Sequence, residues 1–288
     1  MRNKDFTVFI LTHGRPDNVI TYKTLRYQGY TGPIYLVVDN EDGKLDKYIE
    51  NFGIDNVIVF DKKKYADSVD EGNNFDERRT ITHARNACFD IADKLGFTYF
   101  MELDDDYIAF IFRTNNKKEY PTGFFLIRTL LDSIFDLLIE FYKKIPALSV
   151  AMAQGGDFIG GSDSDMAKNM PLKRKCMNSF ICSTKRRFKF VGAMNEDVNT
   201  YTTLGSRGAL FFTIPFVSLT QESTQSQEGG ITDMYLIYGT YCKSFTTVMM
   251  MPSAVKVSMM QSKYERLHHK ISWNNCVPKI INESIKKE

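Results

Sequence analysis

The 288-residue chain is 43% hydrophobic, enough to fill a sizeable core. Its 37 Lys and Arg against 35 Asp and Glu leave a formal charge of +2, so composition demands neither a polyanionic nor a membrane partner, and any basic surface must be local. Five Cys, an odd number without C-x-x-C spacing, argue against a disulfide framework and against a thiolate metal site.

The N-terminal run MRNKDFTVFILTHGRPD is basic, but its apolar stretch is too short for a signal sequence. No segment approaches the roughly 20 apolar residues of a membrane span, so a soluble, cytoplasmic protein is expected. Phe6–Leu11, Pro33–Val38, Val57–Phe60 and Tyr99–Leu103 are short β-branched and aromatic runs bounded by Gly, Pro, Asn or Asp, the pattern of buried parallel strands. Between them, helical patterns cover Asp17–Tyr27, Leu45–Phe52 and Asp76–Leu95, the last stopped by Gly96. The alternation predicts an open α/β sheet. Further on, Phe124–Lys144 reads as one long apolar helix and Ala147–Ala153 as another central strand. Strand-like runs at Ser179–Cys182, Phe188–Val191, Ala209–Phe212 and Thr246–Met250 then suggest a mixed second half of the same sheet. No linker or repeat divides the chain, so a single domain over 1–288 is expected, with a tail from about Met259 folding back.

Open α/β sheets bind ligands at the carboxyl ends of their strands, and here these ends carry THGRPD, DNEDG and DDD. In extended backbone Asp104 and Asp106 point together while Asp105 points elsewhere. Two carboxylates so placed are tolerable when water reaches both or a divalent cation lies between them, and oxygen ligands select Mg²⁺ or Mn²⁺ over Zn²⁺. Such a cation is suited to a diphosphate leaving a sugar. The plainer reading, a solvated acidic turn, is weakened by the apolar strand that delivers the triplet. A second acidic site, NEDVNTY, offers Glu196 and Asp197; either could cap a helix, and one of them could be the general base that takes a proton from an acceptor hydroxyl.

With these residues in view, the sequence resembles the TET/JBP-associated glycosyltransferases, a GT-A fold family of bacteriophages and bacteria related to the transferase that completes base J. The resemblance runs through FTVFILTHGRPDN, GPIYLVVDNED, ARNAC, YFMELDDDY, AQGGDFIGG, MNSFICSTKRRFKFVGAMNEDVNTY, GTYCKSF and RLHHKISWNNCVPKII. It implies a Rossmann-like mixed sheet with flanking helices, and transfer of a sugar from a UDP-sugar to a hydroxymethylated pyrimidine in DNA. It implies a nucleotide-sugar half over 1–110, an acceptor half over 111–258 and a tail over 259–288 that returns to the site. Asp104 and Asp106 match the metal and diphosphate motif, with Asp105 able to replace Asp104, and Asp197 matches the base of inverting members. Thr12, Arg15 and Asp39 match nucleoside-holding positions; Arg85 and Asn86 match a segment facing the donor. His268 or His269 would complete the metal site, or else touch phosphate or lie on the surface. The Lys173, Arg174, Lys175 and Lys185, Arg186, Arg187 clusters would hold DNA phosphates, unless KRRFKF is an ordinary half-exposed strand. A glycosyltransferase with another acceptor, or a silent module that binds without turnover, are the competing readings.

Overall fold

Residues 1–72, 78–114, 123–158, 163–164, 166, 176–222, 231–260 and 265–277 are described by the structure, a computed structural model. The lead-in forms as the sequence predicts: β1 (Phe6–Leu11), α1 (Ile20–Tyr27), β2 (Ile34–Asp39), α2 (Leu45–Phe52), β3 (Val57–Phe60), the short α3 (Lys62–Ala66), α4 (Thr82–Leu95) and β4 (Tyr99–Asp104). Gly96 ends α4 in the left-handed conformation. After these come β5 (Tyr107–Thr114), β6 (Gly123–Leu126), α5 (Leu131–Lys144), β7 (Ser149–Gln154), β8 (Ser179–Ser183), α6 (Glu196–Gly205), β9 (Phe211–Gln221), α7 (Ile231–Met250), β10 (Val255–Met260), β11 (Arg266–Ile271) and α8 (Trp273–Cys276).

Nine strands make one sheet in the order β3-β2-β1-β4-β8-β7-β9-β5-β6, and β10 and β11 make a separate antiparallel pair. The neighbours from β3 to β4 are parallel, as are β7 and β9, whereas β8 and β5 are antiparallel to their neighbours. This is the open mixed α/β sheet with flanking helices that the sequence implies. Alternation along each strand feeds two cores. Val8, Ile10, Met101 and Leu103 join Phe135, Ile139 and Tyr142 of α5 on one face. Phe9, Leu11 and Phe100 join Cys88, Phe89 and Ile91 of α4 on the other. Each such buried side chain contributes about 1.5–3 kcal/mol.

Five expectations are corrected. Phe124–Lys144 is not one helix: 123–126 is strand β6 in a hairpin with β5, a strand the sequence reading missed, and the helix starts at Leu131. A short apolar run fits a buried strand as well as a helix turn, and periodicity does not separate them. Thr246–Met250 is the end of helix α7, where Thr247 and Ser244 are buried against neighbouring structure. Phe188–Val191 joins no sheet; the side-chain amide of Asn86 donates to the Phe190 carbonyl at 3.0 Å and accepts from the Phe190 N–H at 2.9 Å, taking a strand's place. The helix expected from Asp17 starts at Ile20, and that expected from Asp76 starts at Thr82, with 73–77 outside the described residues.

The α1–α5 packing depends on Gly29, at φ +89°, where an added Cβ would meet the Thr129 carbonyl carbon at 2.8 Å. Gly29→Ala therefore combines backbone strain with a backbone clash, and should cost roughly 1–3 kcal/mol, read as a lower midpoint in urea unfolding.

All five cysteines are free thiols, four of them buried. Among the described residues no helix is long and apolar enough to cross a membrane.

Candidate active site

The carboxyl ends of β1, β2 and β4 lie on one edge of the sheet, because Leu11 pairs with both Val37 and Asp104 in parallel register. The chain leaves β4 there, turns through Asp105 and Asp106, and returns along β5. Thr21 of α1 fastens this turn: its hydroxyl donates to the Asp104 carbonyl at 2.6 Å and accepts from the Tyr107 N–H at 2.8 Å.

The three aspartates point to different partners. Asp105 is buried and accepts from the Thr12 hydroxyl at 2.7 Å and from the Arg15 guanidinium at 3.2 Å, so three predicted residues meet in one contact set. Burial pushes its carboxyl up to about 6 against the pull of Arg15. Asp104 and Asp106 are half-buried. Burial, and then Asp104 and Asp105 beside it, push Asp106 up to about 7, and among the described residues no salt bridge engages it.

Asp104 belongs to a buried electrostatic cluster centred on Arg85. Alternation puts Glu102 on the same face of β4 as Asp104, toward α4. There Arg85, 1% exposed, lies 3.0 Å from Asp104, 3.0 Å from Glu196 and 3.5 Å from Glu102. The rings of Phe180 and Phe190 cover the guanidinium, at 5.0 and 5.7 Å from their centroids. One cation against three carboxylates leaves excess negative charge: burial pushes Glu102 up to about 8 despite Arg85, and Asp104 and Glu196 are raised by burial as well. Glu102 was missed in the sequence, although a lone Glu two residues before Asp104 in an apolar strand signals a buried cation facing that side.

Through Arg85 the distant acidic motif arrives at the β4 edge. Glu196 and Asp197 open α6, and Asn195 before them holds a left-handed backbone, φ +55°, tied by its amide to the Lys243 carbonyl at 2.6 Å and to the Thr247 hydroxyl at 3.1 Å on α7. Glu196 turns to Arg85. The Asp197 Oδ1 accepts from the Val198 N–H at 2.8 Å, and its charge adds to burial in raising the pKa of both Glu196 and Asp104. A carboxylate in the first turn of a helix is stabilised by the helix dipole.

At the end of β2, Asp39 accepts from His13 at 2.6 Å and from Lys62 at 3.3 Å. Burial favours protonation of Asp39, but the hydrogen bond from His13 and the charge of Lys62 outweigh it and lower its pKa. The bond to Asp39 raises His13 above 6.5. A raised imidazole contributes stability that is present below its unfolded value and lost as pH rises through the folded one; a lowered carboxyl contributes above 3.8 and loses it toward acid. The Tm advantage of the wild type over His13→Asn should therefore be widest between about pH 4 and 6.5 and close as pH rises further, which Tm measured against pH would show.

Other predicted residues have different surroundings. Asn86 holds Phe190, as described above. His268 and His269 lie on β11, opposite Ser258 and Val257, and among the described residues they form no ligand group with Asp104 and Asp106. Arg186 closes the end of α5, donating to the carbonyls of Tyr142, Ile145 and Ala147 at 3.1, 2.7 and 3.0 Å. Arg187 is bonded to Asp90, Lys185 is exposed, and Lys173, Arg174 and Lys175 lie outside the described residues. Trp273 packs on Tyr201 at 5.6 Å.

The donor set suits a hard divalent cation. The half-buried carboxylates of Asp104 and Asp106 flank one turn, and burial, followed by the charges of Asp104 and Asp105, raises the pKa of Asp106. Among the described residues no group of three His, Cys, Asp or Glu gathers as a cage. A cation held here would complete its shell with water and substrate oxygens, the habit of Mg²⁺.

The family described as TET-Associated Glycosyltransferase matches residues 6–230. No curated protein sequence matches the chain. Among solved structures, S. aureus TarS 1–349 in complex with UDP-GlcNAc is 12% identical, with a TM-score of 0.44, over 81% of this chain and 64% of that one. A second structure of S. aureus TarS 1–349 is also 12% identical, with a TM-score of 0.40, over 75% of this chain and 60% of that one. Glucosyl-3-phosphoglycerate synthase from Mycobacterium tuberculosis, in complex with Mg²⁺ and UDP, is 9% identical, with a TM-score of 0.45, over 93% of this chain and 88% of that one. The chain thus spans less than two thirds of the length of the TarS structures.

Proposed function

The chain belongs to the TET-associated glycosyltransferase family, and from that premise we propose that it moves a sugar from a UDP-sugar to the hydroxymethyl group of a modified pyrimidine, hydroxymethylcytosine or hydroxymethyluracil, in phage DNA. One observation carries the reading: Arg85 joins the acidic turn after β4 to the acidic start of α6, so a diphosphate-binding edge and a free carboxylate share one site.

Asp197 is the base. Glu196 is tied to Arg85, whereas Asp197 accepts only a neighbouring N–H among the bonds described, and is free to take the proton of the acceptor hydroxyl as its oxygen attacks the anomeric carbon. Asp104 and Asp106 would hold Mg²⁺ or Mn²⁺, which when bound neutralises the charge growing on the departing diphosphate. Thr12 and Arg15 fix Asp105, and with Asp39 they shape the nucleoside end of the edge. Attack from the side opposite the leaving group implies inversion. The donor half is 1–110 and the acceptor half 111–258.

The test is transfer of label from a panel of UDP-sugars, with Mn²⁺ and with EDTA, to plain DNA and to DNA carrying hydroxymethylated cytosine or uracil. Metal-dependent labelling of the hydroxymethylated DNA alone supports the reading and names sugar and base together. UDP release without DNA labelling removes the DNA acceptor. No UDP release from any donor leaves a binding module.

A further inference from the structure

A second concave site lies beside the acidic cluster, on the face of α4 that bears Asn86, Phe89 and Asp90. It is a cavity of about 460 Å³ between α3, α4 and the 187–189 segment. Tyr65, Phe89 and Phe188 form its apolar walls, and Lys64, Arg187 and Lys189 reach it from two sides. In KRRFKF the side chains alternate: Arg186, Phe188 and Phe190 turn inward, while Lys185, Arg187 and Lys189 are exposed. The run that looked like a half-exposed strand therefore presents a row of cations on one side, although it joins no sheet.

Three cations meet one carboxylate in this lining. Asp90 takes the Arg187 guanidinium and the Tyr65 hydroxyl, and lies 3.7 Å from Lys64. Lys189 donates to the Ser68 carbonyl at 3.3 Å, a neutral partner that leaves its charge uncompensated. The groove thus keeps net positive charge on a chain whose overall balance is only +2. Phosphodiesters are the anions that suit cations spread along a groove rather than gathered to a point, and aromatic walls beside them accept sugar or base faces.

The groove is also wired to the reaction centre. Asn86, which lines it, follows Arg85 on α4 and holds the Phe190 backbone. The chain then runs through Gly192 and Ala193, whose N–H groups donate at 2.8 Å to the carbonyls of Asp70 and Glu71, and reaches Asn195 and the acidic start of α6. An acceptor strand seated here lies next to the segment that carries Asp197.

We propose that this groove, with Lys64 and Lys189 among its three cations against one carboxylate, anchors the phosphodiester backbone of the DNA acceptor away from the nucleotide that reacts. The inference rests on the DNA reading above and adds to it where the backbone sits. Its test compares the wild type with Lys64→Gln/Lys189→Gln and with Lys256→Gln, an exposed lysine on β10. Anisotropy of a short labelled duplex carrying hydroxymethylcytosine is followed against salt, alongside UDP release without DNA. The groove variant should bind about tenfold more weakly, with a salt slope shallower by about two, while UDP release stays at the wild-type rate and Lys256→Gln binds as the wild type does. Equal binding by the groove variant and wild type, or an equal loss in Lys256→Gln, overturns the anchor and leaves the DNA reading standing. If the wild type releases UDP but neither binds nor labels the duplex, the DNA reading itself falls and the anchor with it.

Discussion

With Asp197 as the proposed base, Asp197→Asn should lower sugar transfer by about 10²–10⁴-fold, the range a positioned general base supplies, and leave donor affinity at the wild-type level. The substitution keeps the size of the side chain and the acceptor oxygen that meets the Val198 N–H, so loss of folding is not the expected cause. Asp106→Asn should fail at a different step. No salt bridge among the described residues engages its carboxylate, so if Asp106 is the proposed ligand the variant should lose Mn²⁺-dependent UDP binding together with transfer. Titration calorimetry of UDP with Mn²⁺ separates the two: retained binding in Asp197→Asn and lost binding in Asp106→Asn assign base and metal ligand. Full transfer activity in Asp197→Asn would remove it from the base role, and unchanged Mn²⁺-dependent binding in Asp106→Asn would remove the ligand assignment.

Arg85→Met carries the largest expected cost in stability. The side chain is fully buried and faces Glu102, Asp104 and Glu196. Removing it leaves carboxylates in an apolar setting without a countercharge, and breaking a buried ion pair in this way costs about 3–5 kcal/mol. Glu102→Gln should be far milder, below about 1.5 kcal/mol, because burial already pushes the Glu102 carboxyl up to about 8 and the protonated acid resembles the amide. Urea unfolding of both variants at neutral pH checks the contrast. An Arg85→Met protein as stable as the wild type would show that the three carboxylates do not depend on that cation. Pairing Arg85→Met with Glu102→Gln should recover part of the loss, since one carboxyl of the excess becomes neutral.

The strands of the lead-in were legible because each is a short β-branched and aromatic run bounded by turn residues. FTVFIL is buried along its whole length, and the edge strand VIVF keeps the same residue types although its Val59 is exposed. The second half was harder for the same physical reason read in reverse. GFFL is a strand only because β5 pairs with it, and TTVMM is helical although its β-branched residues favour a strand. In both segments tertiary contact overrides a short local preference.

By itself the sequence determined the α/β order, the placing of three acidic or basic loops at strand ends, and the chemistry those residue types can perform, because strand pattern and side-chain type are local properties. What only the tertiary structure decided is which charges meet. Arg85 and Glu196 are 111 positions apart, yet their side chains lie 3.0 Å from each other. Arg186, one more cation in a basic run, is instead spent on the carbonyls at the end of α5. Coulomb energies and desolvation depend on separation and burial in space, and a linear order of residues carries neither.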